Sequence, residues 1–243
     1  FVGRVSAGVD VFLFLGGMFL LYSQLRTAQE RSLSLSQSIV RIIRRLAPTL
    51  IVVVAITVIA SMVIYPSTMW SDILSDASAG VLYYTNWHEI ITGNTYGAAG
   101  GEISPFQHLW SMSVQLQSYL VVVITVFTVV SLSSLLRAPK KVSTITMVTI
   151  TVIATVASGV YAVYLVGVNQ PENYYSTLSR FYEIGLGALL GMIIRPIVLP
   201  VIARWILGVI GLVILGGVGL VLDGVAVFPG PGVVGPLAGG AVV

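Results

Sequence analysis

The sequence predicts an all-α protein, a polytopic bundle of transmembrane helices with about seven membrane segments, the last of them truncated. Three observations predict it. Hydrophobic residues make up 56% of the 243 positions and charged residues 9%, with a mean hydropathy of +0.98, a balance that leaves a soluble globule short of polar surface. Apolar runs of about twenty residues recur, the length a helix needs to cross roughly 30 Å of hydrocarbon at about 1.5 Å per residue. The charges between the runs are sorted by sign. Arg26, Arg31, Arg41, Arg44, Arg45, Arg137, Lys140, Lys141, Arg195 and Arg204 fall in one set of gaps, and Asp72, Asp76, Glu89, Glu102, Glu172 and Asp223 fall in the alternate set. Retention of Lys and Arg on the cytoplasmic side produces this alternation.

In chain order the predicted crossings are 8–25, 46–65, 108–136, 142–165, 173–194 and 205–222, with a seventh run opening near Val233. The gap at 26–45 holds five arginines against Glu30 and is assigned to the cytoplasm, which places the start of the first run outside. Pro66 to Gln107, Val168 to Glu172 and Asp223 to Gly232 are then outer, and Arg137 to Lys141 and Arg195 to Arg204 inner. Trp70 to Ile91 mixes acids with Tyr83, Tyr84 and Trp87, and reads as an interfacial or re-entrant helix rather than a crossing, followed by a glycine-rich turn over Gly93 to Gly101. Pro229 and Pro231 mark a further turn. One membrane domain over 1–243 is expected, incomplete at both ends, because the chain opens on the outer side without an initiator Met and its last run is too short to span.

Composition excludes several classes. The formal charge of +3 is carried by residues beside apolar spans, without a nucleic-acid recognition motif, so no nucleic-acid partner is expected. The absence of cysteine removes disulfides and thiolate metal sites, and two histidines without a nearby carboxylate pattern point away from zinc; no metal or bound cofactor is expected.

Four groups of residues carry chemical potential. Arg41, Arg44 and Arg45 precede Pro48 at the cytoplasmic mouth of the second run, at spacings that place them on roughly one helical face. Guanidinium groups there suit bidentate phosphate binding, or serve as topology signals and anionic-lipid contacts. At the outer start of the third run, His108, Ser111 and Gln115 lie at i, i+3 and i+7, and Tyr119 continues the stripe. Such a seam turns toward protein or water, since lipid offers no hydrogen bonds. An imidazole there is suited to deprotonating a hydroxyl, or to cross-linking helices. Arg180 and Glu183, three apart within the fifth run, read as a structural clamp or as part of the outer site. Asp10 requires a partner, sought on an upstream helix.

Together these stretches resemble the acyltransferase family 3 membrane proteins, and the resemblance runs through nearly the whole chain. Gly8 to Leu20 is similar to the family's G-V-D-V-F-F-V-I-S-G-F-L, with Gly16 where Ser is usual. Arg41, Arg44, Arg45 and Pro48 match an R-x-x-R element before a Leu/Ala-Pro. Ser104 to Leu120 resembles S-P-L-x-H-L-W-S-L-S-V-E-E-Q-F-Y-L, with Gln115 and Leu116 replacing the Glu-Glu pair. Tyr174 to Leu190 resembles Y-Y-S-T-x-x-R-x-x-E-L-x-x-G-A-L-L.

The resemblance implies a bacterial inner-membrane, multi-pass O-acyltransferase. It would move an acyl group, acetyl by expectation, from cytosolic acyl-CoA to a hydroxyl of an extracytoplasmic glycan or glycolipid. Arg41, Arg44 and Arg45 would hold the phosphates of the co-substrate. His108, Ser111, Gln115, Arg180 and Glu183 would form the outer catalytic region, beside a histidine on a helix upstream of Phe1, without which the fragment is expected to be inactive. Membrane lipid surrounds the bundle. The competing expectation is a transporter or flippase that moves an acylated lipid or glycan without chemistry.

Overall fold

A computed structural model describes residues 7–32, 34–93, 104–194, 200–203, 205–206, 208–211 and 213. The elements are α1 (Ala7–Gln29), α2 (Leu35–Ile64), α3 (Trp70–Val81), α4 (Thr85–Thr92), α5 (Trp110–Leu135), α6 (Lys140–Val166), α7 (Gln170–Tyr175) and α8 (Thr177–Ile194), with no strand among the described residues. Among the described residues four helices are long and apolar enough to cross a membrane: α1, α2, α5 with its leading 3-10 turn, and α6. The described part of the sixth run belongs to a shorter apolar helix, Val201–Gly211. Glu102, Arg195, Arg204, the turns at 94–101 and at Pro229 and Pro231, Asp223 and the seventh run lie outside the described residues.

Local chemistry explains where the helices begin and end. α2 starts well before its apolar run because Ser34 and Gln37 form a capping box: Ser34 Oγ accepts from the Gln37 N–H at 3.3 Å and Gln37 Oε1 accepts from the Ser34 N–H at 2.9 Å. The arginines therefore ride on ordered helix. Pro48 lies inside α2, and its missing N–H leaves the Arg44 carbonyl without its helical donor. The long outer gap folds as α3 and α4, of 12 and 8 residues, neither able to span hydrocarbon. α4 closes on Gly93, whose φ of 71° suits glycine.

The fifth run is not one helix. The chain breaks at Ser176 (φ −66°, ψ 128°), where the hydroxyl accepts from the Leu178 N–H and the carbonyl from the Arg180 N–H. α8 thus begins at Thr177 and has 18 residues, about 27 Å. Arg180 sits in its first turn, nearer the helix start than a continuous helix from 173 implies.

Hydrogen bonds join the gaps as charge sorted them. At one end Gln29 Nε2 donates to the Lys140 carbonyl and Ser143 Oγ, at 3.2 and 3.0 Å, and Arg31 Nη2 donates to Ser134 Oγ at 2.6 Å. At the other end Asn86 Nδ2 donates to the Tyr175 carbonyl at 3.2 Å and to Thr177 Oγ1 at 3.0 Å, while Gln117 Nε2 donates to Asn86 Oδ1 at 2.9 Å. Among the described residues, the basic gaps at 26–45 and 137–141 thus share one end of the bundle and the acidic gaps before α5 and α8 the other.

α1 and α8 form the tightest pair. A Cβ on Gly17 would collide with the Ile184 carbonyl, one on Gly187 with the Phe14 carbonyl, and one on Gly191 with the Met18 carbonyl. This spacing of small residues lets backbones approach where no hydrophobic force drives helices together. Near the outer end the pair is cross-linked by a fully buried triad. Arg180 Nη1 lies 2.7 Å from Asp10 Oδ1 and 2.7 Å from Glu183 Oε1, and Arg180 Nε donates to the Tyr174 carbonyl at 3.0 Å. The guanidinium carbon stands 5.3 Å from the Trp110 ring centre and 4.9 Å from that of Tyr174, a cation–π setting. Asp10 finds its partner on α8 rather than upstream.

Two outcomes follow for the protein in detergent. Gly187→Leu should overpack the α1–α8 contact and cost at least about 1–3 kcal/mol, read as a lower thermal midpoint. Arg180→Met, leaving two buried carboxylates uncompensated, should cost about 3–5 kcal/mol, and adding Asp10→Asn and Glu183→Gln should recover part of that loss.

Candidate active site

A cavity of about 840 Å³ runs between α1, α2 and α5. One helix alone shows its length: α1 lines it from Gly8 to Thr27, about 28 Å along the axis, close to the thickness of the hydrocarbon core. At the basic end stand Arg41 and Arg45 of α2 with Ser23, Gln24 and Thr27; at the acidic end stand His108 and Ser111. Phe12, Leu15, Phe19, Leu20 and Met112 form apolar wall between them. Two chemically different ends thus border one groove, open along its side where Phe12 is 40% and Phe19 58% exposed.

The predicted seam on α5 faces this space, since His108, Ser111, Gln115 and Tyr119 all line it. His108 is exposed at its mouth, and Ser111 Oγ donates to the His108 backbone carbonyl at 3.3 Å, a bond that anchors the hydroxyl within its own helix. Gln115 is buried and donates from Nε2 to the Tyr119 hydroxyl at 3.1 Å. Its Oε1, like that of Gln24, is sealed from the cavity and has no hydrogen-bond partner among the described residues. Gly16 completes this level: a Cβ there would meet the Tyr119 hydroxyl and Gln115 Nε2.

The remaining predicted residues are placed elsewhere. Arg44 lines a neighbouring hollow of about 450 Å³ with Ser36, Gln37 and Val40, and Arg41 borders both spaces. Arg180 and Glu183 do not line the cavity; they lie behind it in the triad, sealed by Trp110 and Tyr174. Their contribution to the site is indirect, through the position of α1.

Two features escaped sequence reasoning. On α1, Phe12, Gly16, Phe19, Ser23 and Thr27 face the cavity, at steps of three and four that were legible as a helical stripe. His88 does have a carboxylate partner, contrary to expectation: its Nε2 lies 2.9 Å from Asp76 Oδ1. The two residues are twelve apart on separate short helices, so no local spacing announces the pair. No group of three or more metal-ligating side chains occurs among the described residues.

Comparison with known proteins agrees with this architecture. The family described as "Acyltransferase domain", acyltransferase family 3, matches residues 2–237. The peptidoglycan O-acetyltransferase OatA of Listeria monocytogenes is 35% identical over 116 residues, 47% of this chain and 18% of that protein. The putative peptidoglycan O-acetyltransferase YrhL of Bacillus subtilis is 31% identical over 116 residues, with the same coverage of 47% and 18%. An uncharacterized protein of Haemophilus influenzae is 24% identical over 113 residues, 46% of each chain. The matched stretch thus spans under a fifth of the first two relatives and about half of the third. No solved structure matches. A family match over nearly every residue, on a chain whose described residues form helices and no strand, four of the helices of membrane length, establishes that this protein belongs to acyltransferase family 3.

Proposed function

We propose that this chain is the membrane domain of an O-acyltransferase that takes an acyl group, acetyl in the simplest case, from cytosolic acyl-CoA and delivers it to a hydroxyl of an extracytoplasmic glycan. The supporting observation is the continuous cavity whose one mouth is lined by Arg41 and Arg45 and the other by His108 and Ser111. The similarity of nearly half the chain to peptidoglycan O-acetyltransferases supports a cell-wall glycan as acceptor and the bacterial inner membrane as location.

Each part of the donor has a complement. Its phosphates meet Arg41, Arg44 and Arg45, where planar guanidinium groups bind oxyanions bidentately. The pantetheine arm carries amide groups, which suit the hydroxyls of Ser23 and Thr27 that line the same stretch. The apolar wall around Phe12, Leu15 and Phe19 receives the thioester end. At the outer mouth the sugar oxygen attacks the acyl carbon, the carbon–sulfur bond breaks, and the hydroxyl proton passes by way of imidazole to the departing thiolate. Within this chain the imidazole that lines this mouth is that of His108. Holding both reactants in a water-poor slot supplies most of the acceleration expected from proximity.

Tests use the full-length protein in detergent or vesicles. Arg45→Ala should raise the KM for acyl-CoA by about tenfold with a smaller change in kcat, as for one lost charge-assisted contact. His108→Ala should lower kcat by about a hundredfold or more and leave the KM for acyl-CoA nearly unchanged. These residues contain no cysteine, so Arg41→Cys and Ser111→Cys provide single labels within this domain. A membrane-impermeant maleimide should reach position 41 only from the cytoplasmic face and position 111 only from the outer face; both reacting from one face would refute the two-sided reading.

A further inference from the structure

A second cavity, of about 530 Å³, lies on the acidic face of the bundle and shares no lining residue with the first. It is built where the end of α2 meets α3, α4 and the residues leading into α5. Tyr65, Asp72, Ser75, Asp76, His88 and Ser104 supply its ring, carboxylates, imidazole and hydroxyls. Its volume lies within the roughly 300–1,000 Å³ typical of small-molecule sites.

The fold sets these groups deliberately. α3 buries Ile73 and Ala77 against α2 and α5, which turns Asp72 and Asp76, one turn apart, toward the cavity. Asp76 is held by the 2.9 Å contact with His88 Nε2, and both side chains keep 17% of their exposure. The Tyr84 ring stands edge-on to the His88 ring, 6.1 Å between centres. Aromatic and acidic partners therefore fix the imidazole on two sides. Asp72 is exposed and has no ion pair among the described residues.

The lining chemistry selects among ligands. Two carboxylates disfavour phosphate and other anions, and carboxylates set beside Met69, Ile73 and Pro105 make a mixed wall that an acyl chain would leave partly unsatisfied. Asp72, Asp76 and His88 do not converge into a group able to hold a metal ion, and no such group occurs among the described residues. Carboxylates that accept, an imidazole, hydroxyls that do both, and one tyrosine ring at the edge match a neutral, hydroxyl-rich ligand with an apolar C–H face. We infer that the Asp72, Asp76 and His88 cavity is a saccharide subsite, distinct from the acyl-transfer mouth, that holds a remote unit of the glycan acceptor while another unit reaches His108.

This inference rests on the reading of the acidic face as the glycan side. It is tested by binding as well as by turnover, in the full-length protein. A soluble tetramer of β-1,4-linked N-acetylglucosamine serves as probe, followed by calorimetry and by saturation-transfer NMR. Asp72→Asn, at an exposed position without a described side-chain hydrogen bond, should weaken tetramer binding by about tenfold, the equivalent of one charge-assisted hydrogen bond. His88→Gln should do the same, with the thermal midpoint recorded to confirm folding. In transfer assays both variants should raise the KM for the tetramer while leaving the KM for acyl-CoA and turnover on N-acetylglucosamine monomer unchanged. Failure of the wild type to bind the tetramer, or equal binding by wild type and Asp72→Asn, would overturn the subsite. Tetramer binding that depends on Asp72 in a protein that transfers no acyl group would sustain the subsite and refute the acyltransferase reading alone.

Discussion

Everything in this bundle depends on how α1 is held. The Asp10–Arg180–Glu183 triad and the glycine contacts of Gly17, Gly187 and Gly191 fix α1 against α8, and the opposite side of α1 is the wall of the long cavity. A guanidinium between two carboxylates, all sealed from solvent, is costly to assemble and costlier to break, because each partner left alone is an uncompensated charge in a medium without water. The triad therefore acts as a positional constraint: α1 has one register on α8 in which the charges meet. Glycine contacts make that register close, and the charges make it unique.

From that fixed wall the division of the molecule into two chemical ends follows. Basic residues gather on one face, where Gln29 and Arg31 tie α1 to the α5–α6 turn, and carboxylates gather on the other, where Asn86 and Gln117 tie α4, α5 and α8 together. The cavity touches both, through Arg41 and Arg45 at one end and His108 at the other, with Phe12, Leu15 and Phe19 as apolar wall between them.

Much of this was legible in the sequence, for identifiable reasons. The period of charge and apolarity located α1, α2, α5 and α6 and their relative sense, since both follow from the bilayer's thickness and the cost of charge within it. The His108, Ser111, Gln115 and Tyr119 stripe was readable because helical spacing alone brings those side chains to one face. What could not be read depended on tertiary pairing. The break at Ser176 hides in an apolar run because the hydrogen bonds that stabilise it come from the chain's own serine and arginine. The Asp10–Arg180 contact joins residues 170 positions apart, and the His88–Asp76 pair joins two helices whose meeting no local pattern encodes. Helical spacing thus brought the α5 stripe to one face, while the grouping of these residues into a cavity wall and a buried anchor behind it needed three dimensions.

The glycine at position 16 has a consequence for how such a protein can vary. With no room for even one extra carbon between α1 and the Tyr119 hydroxyl, positions 16 and 119 share a single allotment of volume. A larger residue at one is compatible only with a smaller or re-aimed residue at the other. The width of the cavity at mid-depth is accordingly a joint property of two helices, and a side chain gained at position 16 is accommodated only as the Tyr119 ring swings aside or is trimmed.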